Sequence, residues 1–336
     1  MQSRAASPLL LHARVSGRWY KRVVSLARAL ELAAAAAGRA YPKPTVGAVV
    51  AVDGAIVGEG VTEQGGRHGE VVALDAAGAR ARGATLYVTL EPCSHHGTTP
   101  PCTDRVIADG IARVVVGARD PNPEAAGGIE VLEAAGVEVE FLDSWEARLQ
   151  NEAWRVWVTQ GRPFVTYKAA VSLDGRVVVP GRRWVSGEAS RRLVHELRVV
   201  SDAVAVGMGT VRADAPRLDA RGVDLRRGQP RRLAFGRGPL PEGSELELRS
   251  GKLDDELSAL AADGVQSLLL EGGPTLAAAF LDADLIDKLM VFVAPVVAGG
   301  DGPSLLSRIR SERVLTHLSV RLVGEDALLE AYVHEP

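Results

Sequence analysis

No run of apolar residues in this 336-residue chain approaches the roughly 18 needed to cross a bilayer, and the stretch SPLLLHA near its start is too brief for a secretory signal. A membrane-spanning or exported protein is therefore not expected. Blocks of basic residues are also missing. The formal charge is −3 and the arginines are interspersed with Asp and Glu, which leaves no large positive field for a general polyanion binder. Internal repeats are absent. Cysteine is scarce, with only Cys93 and Cys102 in the chain, too few for a disulfide-stapled scaffold. Acids are missing from the start of the chain, the first being Glu31. That positively charged start fits a transit peptide or a start codon placed too far upstream. We expect residues 1–21 to be a poorly ordered extension on a cytoplasmic protein.

What is present is 46% apolar and 24% charged residues, the profile of a folded chain with a sizeable core. The length predicts two compact units of about 150 residues each. Apolar residues at helical spacing in RVVSLARALELAAAAAG predict a helix over 22–38 that ends at Gly38. TVGAVVAVDGAIVGEG then predicts two strands around the hairpin dipeptide Asp53-Gly54. A helix from His68, a strand over 84–90, a helix over 102–110, a strand over 112–118, a turn at DPNP (120–123), a helix over 130–136 and a strand over 137–142 complete a first domain, 22–145. Alternating strands and helices predict a mostly parallel sheet covered on both faces. Residues 146–162 read as a connecting helix, with Trp154 and Trp157 packing between domains. A second α/β pattern fills 163–336: strands over 164–170, 202–206, 231–235, 265–270 and 288–293, helices over 187–199, 253–262 and 274–282, and an antiparallel pair around Gly324-Glu325-Asp326.

His68, Glu70, Cys93 and Cys102 stand at the ends of these elements. In a long chain without an export signal, a cysteine pair points to metal or to chemistry more than to a disulfide. A catalytic zinc takes three protein ligands and leaves the fourth position to water, which one histidine and two thiolates satisfy. Helix starts at His68 and Cys102 would favour thiolate over thiol. Glu70 is then close to the metal without being needed as a ligand, and its natural task is moving protons. A lone His-x-Glu is an ordinary surface pair. His-x-Glu followed by Pro-Cys and a second Cys is the signature of hydrolytic deaminases acting on cytosine-like or adenine-like rings. A structural zinc, or a small loop disulfide, is the competing reading.

Eight residues separate the cysteines in PCSHHGTTPPC, whereas enzymes that deaminate bases within nucleic acid use P-C-x-x-C. This long loop, with YPKPTVGAVV, YVTLEPCSH and DPNP, resembles the deaminase half of the bifunctional riboflavin-biosynthesis deaminase/reductase family over about residues 24–145. RPFVTYKAAVSLDGRV (162–177), WVSGEASRRLVHELR (184–198), DAVAVGMGTVRADAPRLDAR (202–221) and LLLEGGPTLAAAFL (268–281) resemble, in order, segments of its reductase half. The resemblance implies an N-terminal three-layer cytidine-deaminase-like domain and a C-terminal dihydrofolate-reductase-like domain. It implies two sequential activities. Zn2+ would serve the removal of an amino group from a diaminopyrimidinone carrying a ribosylamino 5′-phosphate, and NADPH the reduction of the ribosyl group to ribityl. The partners would be small phosphorylated pyrimidines, not nucleic acid or membrane, and a homo-oligomer is compatible with the sequence.

Carried over residue by residue, the resemblance implies His68, Cys93 and Cys102 as zinc ligands and Glu70 as proton shuttle. Asp120 and Asn122 would line the same pocket, although a turn-stabilising role fits them equally. His95 is a candidate to face the substrate while His96 sits in solvent. Ala170, Trp184, Thr210, Asp214 and the turn beginning at Gly273 match NADPH-binding positions. Arg198, Leu218, Arg221 and Glu271 match positions for the phosphorylated sugar. The two arginines would balance a dianionic phosphate, or else form surface ion pairs. Lys168 and Asp174 are catalytic or structural. The family usually has Asn where Lys43 stands, His near Thr62, Ala at Gly69, Lys or Arg at Thr98 and Ser at Arg182. Lys43 is a candidate to restore the phosphate contact missing at Thr98.

Three other readings compete: a paralogue with one active half or an altered pyrimidine substrate, a nucleic-acid base deaminase with an unrelated second domain, and a zinc-stabilised binding protein. The long cysteine loop weighs against the second. Glu70, which a structural zinc does not require, weighs against the third.

Overall fold

The structure, a computed structural model, describes residues 17–97, 100–225 and 228–336. Residues 1–16 of the expected extension, and Thr98, lie outside the described residues. The chain forms two units, one ending at Asn151 and the other beginning at Glu152.

In the first unit, α1 (Gly17–Ala35) begins inside the segment expected to be disordered. It stops short of Gly38, because the chain tightens into successive turns in which Ala37 N–H donates to the Ala34 carbonyl and Arg39 N–H to that of Ala36. Strands β1 (Gly47–Val52) and β2 (Ala55–Val61) form the hairpin, with Asp53 and Gly54 at φ 50° and 83°, the left-handed pair that matches strand twist. There follow α2 (Gly69–Ala77), β3 (Thr85–Val88), α3 (Cys102–Ala108), β4 (Arg113–Val116), α4 (Gly128–Ala134) and β5 (Glu138–Phe141). The sheet order is β2-β1-β3-β4-β5. Only β3, β4 and β5 run parallel; β1 is antiparallel to β3 and also to β2, with which a two-residue hairpin can make no parallel pair.

Leu26 and Ala29 of α1 pack on Val49, Ala51, Tyr87 and Val115, a dry layer on one face of the sheet. Elsewhere α2 lies almost on the backbone of β2. A Cβ at Gly60 would fall 2.3 Å from the Gly69 carbonyl oxygen, so only glycine permits this approach. The expected connecting helix is two helices: α5 (Trp145–Leu149), capped by Ser144, and α6 (Glu152–Gln160) in the second unit. Between them the Asn151 side chain accepts from Thr45 N–H (2.8 Å) and donates to the Thr45 carbonyl (3.1 Å).

The second unit continues with β6 (Phe164–Ser172), α7 (Glu188–Val200), β7 (Ala203–Gly207), α8 (Met208–Asp214), β8 (Arg231–Phe235), β9 (Glu247–Arg249), α9 (Leu253–Ala262), β10 (Ser267–Leu270), α10 (Pro274–Asp282), β11 (Lys288–Ala294), β12 (Thr316–Val323) and β13 (Asp326–Tyr332). The sheet order is β12-β13-β11-β6-β10-β7-β8-β9, parallel from β11 to β9 and antiparallel at the β13-β12 edge. Helices α9 and α10 cover one face through Leu257, Leu260, Ala277 and Phe280. Met208, Val211 and Leu218 cover the other. Within this unit the Trp157 indole N–H donates to the Ala261 carbonyl at 3.0 Å. Among the described residues no helix is long and apolar enough to cross a membrane.

Candidate functional site

His68 is the residue before α2, in extended conformation, and Cys102 is the first residue of α3. Cys93 follows β3 in the loop between them. The His68 Nδ1 lies 3.2 Å from the Cys102 Sγ and 3.5 Å from the Cys93 Sγ, and the Cys102 N–H donates to the Cys93 Sγ at 3.4 Å. Ligand atoms of all three lie within 4.8 Å of one another. Glu70, in the first turn of α2, is 2% exposed, and its Oε2 is buried without a hydrogen-bond partner. An orphaned buried carboxylate oxygen is costly unless something is meant to meet it.

Burial pushes the Glu70 carboxyl up to about 7, against the pull of His68. The two thiols share their protons unequally. Hydrogen bonding to the Cys102 side chain, opposed by burial and aided by His68, brings Cys93 down to about 4, while Cys102 is pushed well above the thiol range by Cys93 and by burial. An imidazole, two sulfurs and no further ligand suit zinc with an open position, so the residues fit the ion.

Around this cluster, Glu91 is 2% exposed and accepts from the N–H groups of Asp120 (3.1 Å), Gly127 (3.2 Å) and Ile129 (3.0 Å). Sequence reasoning assigned it no part, because backbone amides leave no mark in the sequence. Asp120 is buried and accepts from Asn122 N–H at 2.8 Å, and Asn122 accepts from Glu124 N–H at 3.2 Å, so both serve the turn. Hydrogen bonding to Cys93 raises the His68 pKa, against burial and the charge of the exposed Lys43. Thr62 is buried and accepts from Val46 N–H at 2.9 Å, a structural contact. His95 and His96 are both exposed, the latter 3.9 Å from Asp104.

In the second unit, the carboxyl ends of the parallel strands gather several predicted residues. Ala170 lies near the end of β6, Glu271 directly follows β10, and Thr210 sits in the first turn of α8 after β7. A Cβ at Gly273, which precedes α10, would be 3.6 Å from the Thr210 hydroxyl, so two helix starts adjoin there. Such a crevice is where open parallel sheets hold ligands. Glu271 is clamped by Arg198 in a two-pronged pair (2.6 and 3.0 Å) and approached by Lys168 at 3.6 Å. Burial alone would raise its pKa, yet Lys168 and Arg198 bring it below the ordinary carboxylate range. Arg198 also donates to the Asp219 carbonyl at 2.9 Å.

Arg217 and Arg221 flank the Asp219 carboxylate at 3.3 and 3.4 Å. His195, which sequence reasoning missed, accepts the Arg221 N–H at 3.2 Å; a histidine one helical turn before Arg198 was the available signal. Leu218 has its side chain in the core and φ 54°, so it can offer a ligand only its backbone. Trp184 is 55% exposed, with the guanidinium groups of Arg183 and Arg191 over its ring. Asp214 is exposed at the end of α8. Asp174 accepts from Ser172 Oγ and from Ala298 and Gly299 N–H.

Comparison with known proteins agrees with this division. Residues 20–118 match the family model of the cytidine and deoxycytidylate deaminase zinc-binding region, and residues 163–329 match the RibD C-terminal domain. The riboflavin biosynthesis protein RibD of Aquifex aeolicus is 38% identical over 90% of this chain and 95% of its own length. That of Mycobacterium tuberculosis is 41% identical over 87% and 91%. The solved structure of Acinetobacter baumannii RibD superposes with a TM-score of 0.80 at 32% identity, covering 93% of this chain and 99% of that one. A Thermotoga maritima diaminohydroxyphosphoribosylaminopyrimidine deaminase/5-amino-6-(5-phosphoribosylamino)uracil reductase superposes with a TM-score of 0.79 at 33% identity, covering 94% and 99%.

Proposed function

Because the chain belongs to the RibD family of riboflavin-biosynthesis proteins, a deaminase domain followed by a reductase domain, we propose that it converts a diaminopyrimidinone bearing a ribosylamino 5′-phosphate in two steps, deamination in the first unit and ribosyl reduction in the second. The observation that carries the first step is the meeting of His68, Cys93 and Cys102 beside buried Glu70, whose Oε2 has no hydrogen-bond partner.

In this reading His68, Cys93 and Cys102 hold zinc. Bound zinc supplies the Lewis acidity that makes water nucleophilic near neutral pH. Glu70 would hold the proton given up by the attacking water and deliver it to the exocyclic nitrogen, which leaves as ammonia. Burial suits it to both tasks, since a carboxyl lifted toward neutrality both accepts and gives. Asp120 and Asn122 line the substrate, and Lys43 meets its negative charge at the mouth.

In the second unit NADPH supplies the hydride. Ala170, Thr210 and Gly273 orient it, with Trp184 and Asp214 at its periphery. Four cations, Lys168, Arg198, Arg217 and Arg221, face two carboxylates, Glu271 and Asp219, a surplus that suits a phosphate dianion. The hydrogen bonds to Glu271 and Asp219 leave Arg198 with guanidinium N–H groups to spare for an incoming phosphate. Glu271 holds Arg198 in place, and Leu218 contributes backbone. We read the protein as cytoplasmic and acting on a free phosphorylated pyrimidine, not on nucleic acid. The exposed Leu318, Val320 and Leu322 of β12 are compatible with a homo-oligomer.

The test is a two-stage assay on the full chain and on Glu70→Gln. Ammonia release from the diaminopyrimidine nucleotide without NADPH should fall by about 10²–10⁴ in the variant while its zinc content stays at the wild-type level. NADPH oxidation with the deaminated substrate should persist. No ammonia from the wild type, or full release from the variant, would sink the reading.

A further inference from the structure

Glu91 lies at the junction between the metal cluster and the turn that carries Asp120 and Asn122. It stands two residues before Cys93, at 2% exposure, and among the described residues every hydrogen bond its carboxylate makes reaches the 120–129 segment. One oxygen accepts from Asp120 N–H. The other accepts from both Gly127 and Ile129 N–H, on either side of the start of α4. A buried anion shared by three amides is a strong local constraint, because charge-assisted bonds are roughly twice as strong as neutral ones.

The same two segments are stitched elsewhere. Ser94 N–H donates to the Ala125 carbonyl and Ser94 Oγ to that of Ala126 at 2.7 Å. A Cβ at Gly128 would lie 1.8 Å from the Pro92 carbonyl oxygen, so the two backbones touch. Thr103, beside Cys102, donates to the Cys93 carbonyl and packs against Gly128. The turn is thus built onto the ligand loop itself. Glu91 bridges its two ends, one at Asp120 and the other at Gly127 and Ile129.

We infer that Glu91 is a positioning residue that sets the distance from the metal cluster to the Asp120–Asn122 turn and so places the pyrimidine over the reacting position. This rests on the reading of the first unit as the deaminase. The Glu91 carboxylate is engaged by three main-chain amides. Its removal should therefore loosen substrate placement and leave the ion and the proton shuttle in position.

The test is Glu91→Gln in the full chain, where an amide nitrogen replaces one acceptor and meets a backbone N–H. Three measurements are made: zinc content, steady-state ammonia release, and hydrogen exchange of the 120–129 amides. Zinc should stay at the wild-type level, KM should rise about tenfold or more with kcat within about threefold, and the Asp120, Gly127 and Ile129 amides should exchange about tenfold faster or more. Asn122→Ala should be non-additive with Glu91→Gln in KM, since both act through one turn. Unchanged exchange overturns the inference whatever the substrate is. So does a loss of kcat in step with a loss of zinc at constant KM, which would make Glu91 only a prop for Cys93. If the wild type holds zinc but releases no ammonia from this substrate, the functional reading fails on its own, and the exchange data still decide whether Glu91 sets the turn.

Discussion

The two units build their sites in opposite ways. In the first, chemically distinctive residues from adjoining segments converge on one point: His68 and Cys102 are separated by 34 positions and touch within 3.2 Å. In the second, ordinary charged residues converge from farther apart, Arg198 and Glu271 lying 73 positions from one another and held by ion pairing. A metal site is specified by donor type, so few residues carry it. A phosphate and cofactor site is specified by net charge and backbone ends, so many residues share it. The first should be brittle and the second graded.

The sharpest way to break that contrast is Cys93→Ala. It should abolish zinc retention and ammonia release while leaving NADPH oxidation with deaminated substrate near wild type, as elemental analysis and the two assays would show. A parallel fall in both activities would mean the units are not separate in function. Next comes Arg198→Lys, which keeps the charge but loses the fork that holds Glu271. The reductase KM should rise about tenfold, or 1.4 kcal/mol, with NADPH affinity little changed. An effect as complete as that of a lost ligand would show that this site is brittle too.

A smaller effect is expected from Gly69→Ala. Its Cβ would fall 2.4 Å from the Val46 carbonyl oxygen, so α2 must move. Thermal unfolding should register a loss of about 1–3 kcal/mol in the first unit. A neutral or stabilising outcome would show that α2 can retreat from β1 without cost.

The smallest effect concerns pH. Lys168 and Arg198 hold Glu271 below the ordinary carboxylate range despite burial, so the folded state binds this proton less readily than the unfolded chain. Its contribution to stability is complete above the unfolded value of about 4.3 and is lost as pH falls through the lower folded value. The unfolding midpoints of wild type and Glu271→Gln should therefore converge toward acid. A gap that stays constant from about pH 7 to about pH 3 would contradict the clamp.

What the sequence revealed follows the same division. The cysteine pair and His-x-Glu were legible because such residues are rare and their spacing is constrained by one ion. The hairpin at Asp53-Gly54 was legible because only certain residues accept its backbone. Helix α8 was not, since MGTVRAD follows a strand directly and its Gly209 reads as a turn. The three residues of β9 are too few to show a period. The continuous helix expected over 146–162 is interrupted because Asn151 turns its amide toward Thr45, a partner 106 positions away that no local pattern discloses. Glu91 was hidden for a related reason: its partners are main-chain amides, the same whatever side chain they carry.

The Asn151 amide also says where the chain can be cut. Released at 145, where the helical pattern of the linker begins, an excised N-terminal half would lose the clasp on Thr45 and leave the entry to β1 with an unanswered donor and acceptor. Released after Asn151, it would carry its own latch.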